Sequence, residues 1–264
     1  MSTEWRGLLQ KEWILLKWVV GWIVLLNVLV ICVAPSLISS WAGIPGKLYE
    51  NTHVLAGTWF AFYTFAGVAI LFISLTKEMK SPEIWLHSPR SMFQLVGAKL
   101  VSATVIATGT LFFGGLLLSV ALYFLGEWTI GSAWQGLLAL LSILLSISLK
   151  LIFLMAVGLF FWSLYQMIRS RTSFFSVPIT VFLFSICGFL WEWLRVAGFF
   201  NWLRSLLPLK LTDVTFYNEQ TSYFFTGFVP NGIMFSIGSL VFYFGLSFLL
   251  VLAGSWLYEK KVRF

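Results

Sequence analysis

The chain has 264 residues, of which 59% are hydrophobic, 19% aromatic and 10% charged, and its mean hydropathy is +0.92. A soluble domain is about 45–50% apolar and about 25% charged, so this composition excludes a water-soluble globule, and its hydrophobicity excludes disorder. The formal charge of +7, from 17 Lys and Arg against 10 Asp and Glu, bears on orientation in a membrane before it bears on nucleic acid, which is not an expected partner.

Long charge-free runs, each near the roughly 20 residues that a spanning helix needs, set the predicted elements. The first runs from Trp18 to about Ile38 and the second from Val54 to Leu75. The third covers about Gln94 to Phe124, with Lys99 near its start. A fourth region, Trp128 to Ile168, is interrupted only by Lys150. It has no Gly or Pro near that lysine to turn on, so one long helix from about Ala133 to Leu164 is expected. The fifth run is about Phe174 to Leu194 and the sixth about Pro230 to Leu257. None alternates with the two-residue period of a β-barrel strand, so the expected fold is an all-α membrane protein with six transmembrane helices.

With both termini in the cytoplasm, 12 basic residues fall inside: Arg6, Lys11, Lys17, Lys77, Lys80, Arg90, Lys99, Arg169, Arg171, Lys260, Lys261 and Arg263. Four fall outside, namely Lys47, Arg195, Arg204 and Lys210, while Lys150 stays within the membrane. This asymmetry obeys the positive-inside rule. The mixed-charge start, with Glu4, Arg6, Lys11, Glu12 and Lys17, does not read as a cleavable signal, so the first helix is expected to be retained. Cys32 and Cys187 each sit inside an apolar run and indicate no disulfide framework. Neither an internal repeat nor a linker divides residues 1–264, and a single membrane domain is expected.

Three connecting segments carry further information. Over Glu4–Lys17, Trp5, Leu8, Leu9, Trp13, Leu15 and Leu16 share about half of a helical wheel, with Glu12 intruding on that apolar arc. An amphipathic helix lying in the interface fits this pattern, and so does a plain basic lead-in to the first crossing. Residues 81–93 form a cytoplasmic loop in which Ser81-Pro82 starts a short helix and Glu83 sits at its positive end. Ile84, Trp85, Leu86, Met92 and Phe93 there form either a docking surface for a protein or a patch resting on lipid headgroups. The extracellular segment 192–229, with EWLRVAGFFNWLRSLL at its start, reads as helical: an extension of the fifth helix, a re-entrant or interfacial helix, or simply an aromatic belt.

With these segments the chain resembles the permease subunits of type-2 ABC exporters over almost its whole length. The resemblance rests on the entry EWRGLLQKEWILLKW, on six crossings with both ends inside, and on a first cytoplasmic loop ending HSPRSMFQLVGAK. Members carry an acidic residue just after the second helix, a short coupling helix, a Pro-Ser-like turn and a Lys at the start of the third helix. Glu78, Pro89, Ser91 and Lys99 match those positions. The resemblance implies an ABC-transporter-type domain in a bacterial plasma membrane, a separate cytosolic ATPase docked on the loop, and a second permease subunit, identical or homologous. Glu78, Glu83, Ile84, Trp85, Leu86 and Pro89 would then couple the chain to the ATPase, and short helices in the 192–229 segment would cap the outer exit. The aromatic-rich helices point weakly to an amphiphilic cargo such as a lipid, peptide or drug.

The chain has no phosphate-binding loop of its own. The nearest string, GIPGKL at Gly43–Leu48, has the wrong spacing and no Ser or Thr after the Lys. ATP hydrolysis is therefore assigned to the partner, and no cofactor is expected here. An intramembrane enzyme is a rival reading, but His53 and His87 lie on opposite sides and no catalytic triad or metal site assembles around them. A secondary transporter or channel is the other, and it would usually carry several midplane charges or broken helices, where Lys150 alone is expected. Gln135, Ala139, Ser142, Ser146 and Lys150 form a small-and-polar stripe on the fourth helix, either a helix-packing face or a pathway lining. Reporter fusions after Arg90, Arg171 and Phe264 should read cytoplasmic, and fusions near Glu50, Glu127 and Glu219 should read external; an external C-terminus refutes the six-helix topology.

Overall fold

The computed structural model describes residues 3–41, 48–79, 92–125, 130–172, 174–200, 206–209 and 235–261. They form eight α-helices: α1 Thr3–Val28, α2 Ala34–Trp41, α3 Leu48–Tyr63, α4 Ala66–Glu78, α5 Met92–Phe124, α6 Ile130–Arg169, α7 Ser176–Val196 and α8 Ile237–Lys261. Two two-residue strands, β1 Pro208–Leu209 and β2 Phe235–Ser236, pair antiparallel and bring together the two ends of segment 210–234. Ser236 then caps α8, its Oγ accepting from the Ser239 N–H at 3.0 Å.

Among the described residues, five stretches are each long and apolar enough to cross a membrane, the first being Trp5–Trp41; α3 and α4 make a sixth if taken as one span bent by 42°. Helical backbone is the form that leaves no peptide group unpaired in hydrocarbon, which is why the apolar runs become helices and not strands. The helices alternate in direction: Phe161 of α6 meets Phe184 of α7 while Phe153 meets Trp191, and Gly254 of α8 packs on Phe160. The start of α1, the end of α4, the start of α5 and the ends of α6 and α8 therefore share one end of the bundle, which carries most of the basic residues and is called the basic end below.

Two expectations change. The segment Glu4–Lys17 does form a helix, but not a separate interfacial one: it is the first part of the unbroken α1, and its Leu8, Leu15 and Leu16 join the core beside α4 and α5. The second crossing is not one straight helix. Thr64 and Phe65 bond back three residues, to the Ala61 and Phe62 carbonyls at 3.3 and 3.0 Å, and the Thr64 hydroxyl also donates to Ala61 at 2.8 Å. A side chain competing for a helix carbonyl in this way bends the helix without any proline. Between α1 and α2, Leu29–Val33 widen into a π turn, in which the Ala34 N–H reaches back to the Leu29 carbonyl. Pro35, which has no N–H to give and crowds the preceding turn, accounts for that widening. The fourth region is a single helix, as expected, extended to Ile130–Arg169.

Among the described residues, the buried apolar side chains form two clusters. One, toward the basic end, includes Leu16, Ile70, Leu71, Leu75, Ala103, Ala107, Leu151 and Met155. The other includes Ile31, Ala56, Phe60, Tyr63, Leu111, Leu118, Ile143 and Ile147. Helix α7 stands at the edge, with no residue from Val177 to Leu194 buried. Close approach of α4 to α6 depends on Gly67, where a Cβ would lie 2.7 Å from Leu151 Cδ2 and 2.9 Å from Met155 Sδ. Gly67→Ala should therefore lower the melting temperature in detergent, since overpacking costs about 1–3 kcal/mol against a helix-propensity gain of about 1 kcal/mol. At Gly109, which has nothing within 4 Å, the same change should be neutral or stabilising, and the reverse order of the two would disprove the packing account.

Candidate functional site

The basic end holds a buried charged cluster built by three helices. Lys99, about two turns into α5, is 1% exposed at its side chain, Glu12 on α1 is 4% exposed and Glu78, the last residue of α4, is 10% exposed. Three oxygens surround the Lys99 ammonium: Ser74 Oγ at 2.7 Å, Glu12 Oε1 at 2.8 Å and Glu78 Oε2 at 3.0 Å. Ser74 also donates to Glu12 Oε2 at 2.6 Å, so the hydroxyl links the ammonium and the carboxylate. Lys11 pairs with the other oxygen of Glu78. Lys77 donates to the Leu15 carbonyl at 2.9 Å, a further tie between α4 and α1.

The local reasons are periodicity and spacing. Ser74 and Glu78 are four apart on α4 and so share one face, while Lys11 and Glu12 are adjacent on α1 and straddle that face. Two ammoniums meet two carboxylates, and the cluster is neutral. The Lys99 ammonium donates to Ser74 Oγ and Glu12 Oε1 and pairs by charge alone with Glu78 Oε2, a buried oxygen that accepts no hydrogen bond; opposite charges this close are the condition for keeping an ammonium out of water. The arrangement is a stable clamp: it binds α1, α4 and the start of α5 at the two borders of segment 80–91. Among the described residues, no group of three or more His, Cys, Asp or Glu is placed to hold a metal ion.

The residues singled out from the sequence fall as follows. The Glu78 carboxylate is taken up by Lys11 and Lys99. Glu83, Ile84, Trp85, Leu86 and Pro89 lie outside the described residues, as does most of segment 192–229. Ser142 and Ser146 are buried inside the bundle and Lys150 is half-buried on the same helix; Gln135 belongs to α6, but its side chain lies outside the description. The structure thus buries the two serines of the stripe within one chain. Lys150 is not alone as a charge among the apolar helices, because Glu12 and Lys99 are more deeply buried.

Glu12 is the residue that sequence reasoning missed. Its signal was present: it sits on the apolar arc of α1, just as Lys99 sits inside an apolar run, and two opposite charges on two core-facing positions call for each other. Comparison with protein-family models, with curated proteins and with solved structures finds no match for the chain. The fold and the apolar helices define it as a multi-pass helical membrane protein.

Removing one member of a buried ion pair strands the other and costs about 3–5 kcal/mol. Lys99→Met should accordingly destabilise the protein by about that amount, read as loss of folded, monodisperse material on heating in detergent. Adding Glu12→Gln to Lys99→Met should recover part of the loss. Additive losses from the two changes would show that they do not share an interaction.

Proposed function

We propose that this chain is the permease subunit of a bacterial type-2 ABC exporter, with both termini in the cytoplasm. A cytosolic ABC ATPase and a second permease subunit, identical or homologous, complete the assembly, and an amphiphilic molecule is the cargo. The observation that carries this reading is the meeting of Glu78 and Lys99 at 3.0 Å. These are two of the positions on which the family resemblance rests, one on each side of the loop that would receive the ATPase.

The clamp gives that loop a mechanical role. ATP binding draws two ATPases together and displaces whatever docks on them. A loop with free ends would absorb the displacement. This loop leaves α4 at Glu78 and enters α5 seven residues before Lys99, and Glu12 joins both ends to α1. A push on the loop is delivered to three helices at once. The ATPase can shift the transporter between its two access states only by the difference in its binding energy to them, so a stiff link raises the fraction of that difference that reaches the helices.

The isolated chain should show no ATP hydrolysis, and hydrolysis coupled to transport should appear only with an ABC ATPase. Trp85→Ala with Leu86→Ala should release the ATPase or uncouple hydrolysis from transport, because a few large apolar groups dominate most interfaces. Cysteines at Glu83 or His87 should crosslink to the ATPase surface. Retention of ATPase association and transport in the double variant, with no crosslink formed, removes the loop as the coupling element and the reading with it.

A further inference from the structure

A second polar node sits at mid-bundle, between the two apolar clusters. Asn27 of α1 is fully buried. Its amide accepts from Trp59 Nε1 at 2.7 Å, donates to the Thr110 carbonyl at 3.0 Å, and lies 3.5 Å from the Tyr63 hydroxyl. One side chain thus touches α1, α3 and α5. The approach to Thr110 depends on Gly114, one turn further on, where a Cβ would stand 3.1 Å from Asn27 Oδ1 and 3.3 Å from Phe60.

Three independent features coincide at this level. The π turn of Leu29–Val33 begins two residues after Asn27. The break between α3 and α4 begins one residue after Tyr63. The core divides here too, between Ala107 and Leu111 on α5 and between Ile147 and Leu151 on α6. A π turn and a turn bonded three residues back are the two places in these helices where backbone hydrogen bonds already depart from the α pattern, so a small change of angle costs least there. An amide in hydrocarbon must keep its partners, and this fixes which positions on α3 and α5 can approach α1.

We infer that Asn27 is the pin of a hinge. The portions of α1 and of the α3–α4 run on the basic side of Asn27 move as one unit, joined by the Glu12–Lys99–Glu78 clamp. They pivot against the outer portions of the same helices, and α6, regular over all 40 residues, serves as the fixed frame. Closing or opening the 42° bend then converts movement at the basic end into movement at the other end. This inference does not depend on which partner drives the motion.

The test is pulsed electron–electron resonance in lipid nanodiscs, with Cys32 and Cys187, both exposed, first replaced by Ser. One spin-label pair, at the exposed Val54 and Ile73, spans the break; a control pair, at Leu141 and Arg169, spans the same level on α6. The Val54–Ile73 distances should be broad or bimodal and should shift in Asn27→Leu, while the control pair stays narrow and unchanged. Should Asn27→Leu fail to fold, Trp59→Phe removes one donor and Gly114→Ala crowds the amide, and either should shift the same distribution. A Val54–Ile73 distribution as narrow as the control means a static kink and overturns the inference. So does indifference to all three substitutions, or equal broadening of both pairs, which marks general loss of packing.

Discussion

Keeping the Lys99 ammonium out of water is the constraint around which the basic end is organised. A charge in a medium that cannot solvate it must find its partners in the protein, and Lys99 finds three oxygens on two neighbouring helices. The result is positional more than energetic. Buried ion pairs often break even against apolar packing, because desolvation offsets the attraction. A displaced partner is expensive, however, so the cluster penalises every arrangement but one. Successive residues on a helix point about 100° apart. Rolling α1 by one residue would carry Glu12 off Lys99 and Lys11 off Glu78 together. Apolar contacts alone would not object, since in lipid one greasy face is nearly as good as another.

The same reasoning explains how the remaining polar groups are managed. Many hydroxyls bond within their own helix: Thr52 to Leu48, Thr104 to Leu100, Ser148 to Leu144 and Ser247 to Tyr243, all at 2.6–2.8 Å. Satisfied in this way, they ask nothing of neighbouring helices and leave packing free. Among the described residues, the Lys99 cluster and the Asn27 node each join three helices through polar side chains, and Asn51 of α3 also donates to Ser39 of α2 at 3.1 Å. Helix α7 lacks the buried face of its neighbours and is held differently. Trp191 stacks on Phe200 and Phe242 and meets Phe153, so ring contacts near one end anchor a helix whose remaining surface suits lipid.

The helices were legible in the sequence because length and apolarity are one-dimensional properties. The unbroken α6 follows from the lack of Gly or Pro near Lys150. The break after Tyr63 was not legible, because it comes from one Thr hydroxyl competing for a carbonyl, and Thr is common in helices that stay straight. The π turn had a sign in Pro35, inside the first apolar run, which reading for length alone passes over. The cluster was half legible. Glu78 and Lys99 stood out through the family pattern, but their contact with each other and with Glu12 is a matter of how three helices assemble. Reading Glu4–Lys17 as an interfacial helix hid Glu12, because that reading gives its carboxylate to water instead of to Lys99.

The two polar levels constrain different motions. At the Lys99 level, opposite charges are paired across three helices, so relative rotation or sliding of any one of them strands a charge. At the Asn27 level, the partners are neutral groups, each worth little alone, since interhelical hydrogen bonds in membranes average about 0.6 kcal/mol. Small changes of angle there lengthen weak bonds without exposing a charge, and the backbone beside them has already left the α pattern in two helices. The stiff element therefore lies at the basic end and the compliant one in the middle of the bundle. Force applied at the basic end is not dissipated where it enters, because the clamp resists it; it is carried along α1 and α4 to the level where bending costs least.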